Sequence, residues 1–265
     1  MVNVSLPLHN AGRSRIPEVL FLHARNARVT VLSGKIPFVI IHTVKRTERL
    51  GTAITPDGTE LVLHRHDGAY SIRVNGAELM STRRHHSEDV LAERVCLPLR
   101  ERVGACVLIG GLGLGFTLKA ALRSLALDAT VVVAEIVEQV IAWNVNPEYD
   151  LSVAALADGR VNLRHDDVAN VLKQSRGAFD AIMLDVDNGA EAMTTSGNAQ
   201  LYRYTGITMA TAALRPGGRL AYWSANENVG FEGALRDAGL SVETIPVRAH
   251  ATSGAWHTLM FARRD

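Results

Sequence analysis

The chain has 265 residues, and its 47% hydrophobic and 21% charged positions supply enough apolar material for one sizeable core with a small appended domain. Its 28 basic and 27 acidic residues nearly balance, so no overall electrostatic field favours nucleic acid or an anionic membrane. The sequence shows no apolar stretch of spanning length and no signal pattern, and we therefore expect a cytoplasmic protein with neither nucleic acid nor membrane as a partner.

The first 99 residues are predicted to precede the main domain. Residues 1–41 place prolines and glycines between short apolar pieces, which predicts an extension of uncertain structure or a subunit-contacting arm. Asp67 and Asn75, each followed by glycine, separate short alternating runs and are typical of β-hairpins, because these residues tolerate positive φ. Ser87 precedes an acidic run and predicts a capped helix. We therefore assign 42–99 to a small antiparallel β module with a linking helix.

From residue 100 onward, the sequence repeats a pattern of strand, glycine turn and helix. The predicted buried strands are 105–109, 130–134, 181–184, 219–223 and 258–261, and the predicted helices include 116–125 and 201–214. This alternation predicts an α/β fold with a doubly wound, parallel, Rossmann-like sheet. Residues 100–265 are therefore predicted to form a nucleoside-binding domain.

The loop after the first of these strands is rich in glycine. Gly111, Gly113 and Gly115 let the backbone turn tightly and approach a ligand closely. A dinucleotide fingerprint would need glycine as the sixth residue counted from Gly111, and that residue is Phe116. The loop therefore predicts a nucleoside donor rather than a dinucleotide, with a purely structural turn as the alternative.

Carboxylates follow three further strands, and in an open α/β sheet these strand ends border the ligand crevice. Glu135 can accept hydrogen bonds from both hydroxyls of a ribose. Of Asp166 and Asp167, one can accept the adenine amino group while the other caps the next helix. Asp185 can take a proton from an amine nucleophile. A solvated acid or a helix cap without a ligand is the alternative at each position.

The ordered combination of these features resembles the spermidine synthases and their methyltransferase relatives over roughly residues 60–262. The residues that carry the resemblance are the run 107–118, Glu135, Asp167, the run 179–185 and the segment 214–218. The resemblance implies an S-adenosylmethionine-type donor, with Glu135 on the ribose and Asp167 at the adenine. It also implies that Asp185 receives the proton of the nucleophile.

The chain departs from that family at three places. Leu114 stands where aminopropyltransferases carry an acid that pairs with the amine of decarboxylated S-adenosylmethionine. Of their Asp-Ser-Ser-Asp-Pro run only Asp185 and Asp187 remain, and their Tyr-His-Glu element is matched at most by His86 and Glu88. An acid at position 114 would repel the carboxylate of the full donor, whereas leucine would not, so this position favours methyl over aminopropyl transfer.

We therefore expect an S-adenosylmethionine-dependent methyltransferase that acts on a small amine-like or other nucleophilic acceptor, with Asp185 as the catalytic base. A polyamine aminopropyltransferase that uses decarboxylated S-adenosylmethionine is the alternative, and a catalytically silent scaffold is a third possibility. The expected donor contacts are Gly111, Gly113, Leu114, Gly115, Glu135, Asp166 and Asp167.

The expected acceptor contacts are His86, Glu88, Asp187 and Tyr202. Trp223, Trp256 and His257 could also line the acceptor pocket, although aromatic residues near strand ends are more often core. We interpret His64, His66, His85 and His86 as polar hairpin surface rather than a metal site, because no Cys or carboxylate accompanies them at fixed spacing. We expect no metal, and we expect a homodimer.

Overall fold

The computed structural model describes residues 27–32, 38–43, 46–186 and 198–264. The chain divides into two units, Met1–Arg46 and Thr47–Asp265. In the first unit, the strands Ala27–Leu32 (β1) and Phe38–Thr43 (β2) pair as an antiparallel hairpin. The predicted boundary after residue 41 falls inside β2, so this hairpin joins residues that the sequence pattern assigned to different segments.

The second unit begins with a four-stranded antiparallel sheet, here called the β module. Its strands, which are neighbours in chain order, are Glu48–Ile54 (β3), Glu60–His66 (β4), Ala69–Val74 (β5) and Ala77–Ser81 (β6). Asp67 and Asn75 have φ values of 52° and 49°, and the glycine after each also has positive φ. Such pairs match the right-handed twist of the flanking strands, and the two predicted hairpins are therefore confirmed.

A seven-stranded sheet forms the rest of this unit. Its strands are Cys106–Gly110 (β7), Thr130–Glu135 (β8), Val161–His165 (β9), Phe179–Leu184 (β10), Leu214–Ser224 (β11), Ser241–His250 (β12) and Ser253–Arg263 (β13). The strands lie in the order β12-β13-β11-β10-β7-β8-β9. The order of the strands reverses beside β7, since β8 and β9 follow on one side of it and β10 and β11 on the other, and the crevice above its carboxyl end is where such sheets bind ligands. The predicted α/β class is confirmed.

The final strand corrects the expectation of an all-parallel sheet. β13 runs antiparallel to both β11 and β12, while the five strands from β11 to β9 are parallel. Only the two residues 251–252 separate β12 from β13. A connection that short can join only antiparallel neighbours, whereas a parallel pair needs a crossover of a dozen or more residues.

Helices cover both faces of the large sheet. They are His86–Cys96 (α1), Phe116–Ser124 (α2), Glu138–Val145 (α3), Val153–Leu156 (α4), Val168–Gln174 (α5), Asn198–Leu201 (α6), Tyr204–Ala213 (α7) and Val229–Asp237 (α8). One apolar core packs α1 and α2 against the sheet, and the other packs α5, α7 and α8 against the opposite face. The predicted helix 201–214 corresponds to α7, and α6 ends where the predicted range begins.

The β module packs on the large sheet through a third apolar cluster. Leu63 and Ile72 of the module meet Val140 and Trp143 of α3 there. Gly51 allows the closest approach, since a Cβ at this position would lie 2.7 Å from the indole nitrogen of Trp143. The module therefore forms one wall above the carboxyl ends of the parallel strands.

Ser87 does not cap α1 as predicted. The helix begins at His86, the cap position is His85, and no side-chain cap bond forms there. Ser87 lies in the first turn with 0% exposure, because its hydroxyl is used in tertiary contacts. Among the described residues, no helix is both long enough and apolar enough to span a membrane.

Candidate active site

The glycine loop sits at the carboxyl end of β7 and can be built only with glycine at its turning points. Gly111 has φ 89°, and a Cβ there would lie 2.4 Å from the carbonyl oxygen of Asp185. Gly115 has φ 75°, and its Cβ would lie 1.9 Å from Ser152 Oγ. The loop thus passes directly beside the segment that follows β10, with no room for a side chain between them.

Two side chains distant in sequence hold the loop from behind. Asn144 Nδ2 donates to the carbonyl of Gly113 at 2.8 Å, and Ser152 Oγ donates to the carbonyl of Leu114 at 3.0 Å. On the open side, Met80 of the β module comes so close that a Cβ on Gly113 would lie 2.9 Å from its Sδ. Sequence reasoning missed all three supports, because none lies in or next to a recognisable motif.

Glu135, the last residue of β8, is buried and held in one orientation. Its Oε2 accepts from the backbone N–H of Leu112 at 2.9 Å, and its Oε1 accepts from that of Val137 at 2.8 Å. Because each carboxylate oxygen can accept more than one hydrogen bond, this geometry suits a pair of neighbouring hydroxyls such as those of ribose.

The two acids after β9 have different roles in the fold. Asp167 is the cap of α5, and its Oδ1 accepts from the N–H of Ala169 at 2.8 Å. Asp166 Oδ1 accepts from the N–H of Asp167 at 2.8 Å and from Asn170 Nδ2 at 3.0 Å. Both residues border the cleft that Glu135 also borders. The sequence left open which of the pair is the cap, and the structure assigns the cap to Asp167.

A cleft lies between these strand ends and the β module. Its walls include Glu135, both acids after β9 and the apolar side chains of Leu61 and Ile72. A second cavity adjoins it and shares Met80, Gly113 and Asp185 with it. Apolar walls with a few polar groups at fixed positions are typical of small-molecule sites.

The second cavity is acidic and aromatic. It is bordered by Glu88 and Asp185 together with Phe116 and Trp223, and none of the described residues along its wall is basic. Asp185 Oδ2 accepts a hydrogen bond of 2.6 Å from Thr117 Oγ1 on the first turn of α2. Burial, and then the nearby charge of Asp185, raise the pKa of Glu88 to about 8. Asp185, joined by Glu88 once Glu88 is ionised, suits a cationic ligand.

Three side chains from distant parts of the chain meet behind Glu88. Ser87 Oγ donates to Glu88 Oε2 at 2.5 Å and accepts from the indole N–H of Trp223 at 3.0 Å. The same Oγ lies 2.8 Å from Nδ1 of His257, whose ring packs edge-on against that of Trp223 with centroids 4.6 Å apart. The sequence offered Trp223 and His257 only as loose candidates, and gave no sign of the contact with Ser87.

The other expected acceptor residues lie elsewhere. Tyr202 is in the core, where its hydroxyl donates to the carbonyl of Trp223 at 3.2 Å and its ring packs on Tyr222 and Phe231. This differs from the expected pocket position, and the reason is the apolar surface of the phenol ring. Asp187 lies outside the described residues.

His86 and Leu114 also differ from what the sequence suggested. His86 is not among the described residues that border either cavity, and its neighbour His85 instead stacks on Phe116 with ring centroids 4.1 Å apart. Leu114 borders the second cavity but is only 2% exposed, because most of its side chain belongs to the apolar cluster beneath the β module.

Two of the four histidines considered as metal ligands have other contacts. His66 Nδ1 lies 3.1 Å from Thr47 Oγ1, and His85 Nδ1 lies 2.8 Å from Asp89 Oδ2. Within 46–186 and 198–264, no group of three or more His, Cys, Asp or Glu side chains is arranged to hold a metal ion.

The doubly wound sheet, the glycine loop, the acid at the end of β8 and the preceding β module together define an α/β fold of a specific architecture. Comparison with solved structures identifies it. Spermidine synthase from Thermotoga maritima superposes with a TM-score of 0.64 at 14% identity, covering 87% of this chain and 76% of that one. A spermidine synthase in complex with the transition state analogue AdoDATO gives 0.67 at 16% identity, covering 87% and 77%.

A probable spermidine synthase from Corynebacterium glutamicum gives a TM-score of 0.58 at 13% identity, covering 80% of this chain and 79% of that one. No protein-family model and no curated protein sequence matches the chain. At these identities the likeness lies in the fold. The chain has the spermidine synthase fold, and the fold that the sequence resemblance implied is confirmed.

Proposed function

We propose that this chain is a transferase that moves the aminopropyl group of decarboxylated S-adenosylmethionine to a small amine. The observation that carries the proposal is the pair Glu88 and Asp185 at the cavity beside the glycine loop, where none of the described bordering residues is basic. Carboxylates attract ammonium groups and repel a carboxylate. Both substrates of this reaction carry ammonium groups and neither carries a carboxylate.

The larger cleft fits the nucleoside of such a donor. Glu135, fixed by two backbone N–H groups, would accept from the ribose hydroxyls. Asp166 and Asp167 border the far end of the cleft, where one of them would accept from the adenine amino group. When bound, a sulfonium donor supplies an electrophilic carbon, whose bond to sulfur breaks as the acceptor nitrogen bonds to it.

The two candidate reactions differ in whether the amino-acid end of the donor carries a carboxylate. From the sequence alone, leucine at position 114 favours the full donor. In the folded chain, however, Glu88 and Asp185 border the same cavity, so the carboxylate of full S-adenosylmethionine would face two acids. The decarboxylated donor avoids that repulsion. The similarity to spermidine synthases, one of them holding a transition state analogue, also supports the aminopropyl reaction.

The acceptor must lose a proton before it can react, because an ammonium nitrogen has no lone pair for attack. Asp185 is the group that would take this proton, and the 2.6 Å hydrogen bond from Thr117 fixes its carboxylate. Trp223 places an aromatic ring beside the two acids, and such a ring adds attraction for a cation. The ring of Phe116 already stacks on His85 and interacts with the ammonium group of Lys119.

Methyl transfer from full S-adenosylmethionine is the second candidate. It is favoured by one observation, the apolar Leu114 within the glycine loop. This reading needs a cation to meet the donor carboxylate, and none of the described residues that border the second cavity is basic. The nearby ammonium group of Lys119 lies over the ring of Phe116 and donates to the carbonyl of Leu151. Binding measurements distinguish the two readings directly.

Calorimetric titration with each donor separately, followed by mass spectrometry of the products with an amine acceptor, tests the proposal. We expect decarboxylated S-adenosylmethionine to bind at least about tenfold more tightly, equivalent to about 1.4 kcal/mol, and to leave methylthioadenosine. Asp185→Asn should bind the donor but lose turnover. Tighter binding of the full donor with release of S-adenosylhomocysteine would replace aminopropyl by methyl transfer. If neither donor binds, the transferase proposal fails.

Two further proposals concern the assembly and the cellular location of the protein. We propose that the enzyme acts as a homodimer in the cytoplasm. Sedimentation equilibrium of the full chain, compared with a chain lacking residues 1–41, tests both the dimer and the suggested contacting arm. Fractionation of cells that express the protein tests the location.

A further inference from the structure

A continuous set of hydrogen-bonding side chains connects the acidic cavity to a partly exposed residue of β13. It begins at Glu88 on the cavity, passes through the buried hydroxyl of Ser87 and ends at the partly exposed ring of His257. Ser87 Oγ lies 2.5 Å from Glu88 Oε2 and 2.8 Å from His257 Nδ1. These three residues, which we call the relay, come from the first turn of α1 and from a strand about 170 positions later.

The hydrogen-bonding capacity of Ser87 leaves two arrangements of protons along the relay. A hydroxyl has one hydrogen and two lone pairs, and an indole N–H can only donate, so Trp223 always occupies one lone pair. If Glu88 is ionised, Ser87 donates to it and Nδ1–H of His257 donates to Ser87. If Glu88 is protonated, it donates to Ser87, and Ser87 donates to the bare Nδ1. The heavy atoms need not move between the two.

We propose that this relay carries the proton of Glu88 out of the acceptor cavity when a cationic amine binds there. The inference rests on the proposed function, since it presumes an ammonium acceptor between Glu88 and Asp185. It adds a role for Ser87 and His257, which are not among the described residues that border either cavity and which act through Glu88.

The charges around the relay set the direction of this transfer. Burial and the nearby Asp185 raise the pKa of Glu88, while the hydrogen bond from Ser87 lowers it. Burial and then the positive charge of Arg84 lower the pKa of His257. Asp89 is a further acid near Glu88, and His85 and Arg123 pair with it. Near neutral pH, the empty site therefore holds the proton on Glu88 and leaves the imidazole neutral.

Arrival of an ammonium group beside Glu88 reverses the preference, because a positive charge favours the ionised carboxylate. The acid proton of Glu88 then passes to Ser87 Oγ as the hydroxyl proton of Ser87 passes to Nδ1 of His257. The imidazolium loses a proton to water, and Ser87 ends with the same number of protons as before. The net change is one proton moved from Glu88 to solvent, with no other reagent consumed.

The test follows proton release on mixing the full chain with 1,4-diaminobutane, using a pH indicator in a stopped-flow instrument at pH 7. The wild type should release close to one proton rapidly, and Glu88→Gln should release none. His257→Gln keeps a hydrogen-bonding group but cannot carry the proton, so its release should slow at least tenfold while the final amount stays the same. Added imidazole should restore the rate of His257→Ala.

His250→Gln is the matched control, because this exposed histidine lies on the same hairpin as His257. Its release should match the wild type. Ser87→Ala should slow release as His257→Gln does, whereas Ser87→Thr, which keeps the hydroxyl, should not. A wild type that binds the amine while His257→Gln releases the proton at the normal rate overturns the relay and leaves the proposed function standing. A wild type that binds neither amine nor donor overturns the proposed function itself.

Discussion

Replacing Glu88 by glutamine should make the protein more stable in alkaline solution. The pKa of Glu88 is raised from its ordinary value of 4.5 to about 8, first by burial and then by the charge of Asp185. Between these values the folded chain binds a proton that the unfolded chain has lost, so stability falls as pH rises through this window. Below pH 4.5 the carboxyl group is protonated in both the folded and the unfolded chain, so it no longer makes stability depend on pH.

The size of the effect is bounded by the displacement of the pKa. At about 1.4 kcal/mol per pKa unit, the full displacement corresponds to about 5 kcal/mol above pH 8. Structural adjustment and entering water reduce the cost of a charge in proteins, and we expect about 1–3 kcal/mol. Glutamine keeps the shape and the ability to accept from Ser87 but cannot ionise, so it should remove this loss.

Urea denaturation of the wild type and Glu88→Gln at pH 5, 7 and 9 measures the difference. The two proteins should differ by less than about 1 kcal/mol at pH 5 and by about 1–3 kcal/mol in favour of the variant at pH 9. Glu93→Gln is the matched control on the same helix, because Glu93 is exposed. A variant less stable than the wild type at pH 9 would refute the reasoning, since Glu88 would then be stabilising as an anion.

Three further substitutions test other parts of the site and fold. Glu135→Gln should weaken donor binding about 10- to 100-fold in calorimetry, because charge-assisted hydrogen bonds to ribose are about twice as strong as neutral ones. Glu138→Gln, at the exposed start of α3, is the control and should leave donor binding unchanged. Gly115→Ala should lower the free energy of unfolding by about 2–4 kcal/mol, because φ at this position is positive and a Cβ has no space. Gly233→Ala is the control and should not destabilise the protein, because a Cβ at that position of α8 meets open space. Asp180→Asn should cost about 2–4 kcal/mol in thermal or urea unfolding, because this 2% exposed carboxylate pairs with two arginines and a backbone N–H. Equal stability of Asp180→Asn and the wild type would contradict that assignment.

Features with a local cause were predictable from the sequence. The hairpins at Asp67 and Asn75 follow from residues that accept positive φ, and the alternation of strands with glycine turns gives the α/β class. The position of Glu135 at the cleft was predictable because the carboxyl ends of parallel strands lie at one edge of the sheet. In each case the signal lies within a few residues of the feature it predicts.

Features made by contacts between distant segments were not predictable. The sequence predicts Ser87 as a helix cap, because a serine before a helical run commonly caps that helix. In the fold its hydroxyl hydrogen-bonds to Trp223 and His257 instead. Asn144 and Ser152 support the glycine loop from other elements. Tyr202 is polar at one end only, and its position in the core depends on partners that no local pattern reveals.

The choice between the two donors shows why one position cannot decide the charge of a site. Leucine at 114 removes an acid from the glycine loop, yet Glu88 and Asp185 border the same cavity from α1 and from the end of β10. The amino-acid end of the donor interacts with the summed electrostatic field of all these groups, not with one neighbour alone. While Glu88 keeps its proton, the cavity offers less negative charge than two ammonium groups require. Release of that proton would therefore let the aminopropyl donor and the amine acceptor occupy the site together.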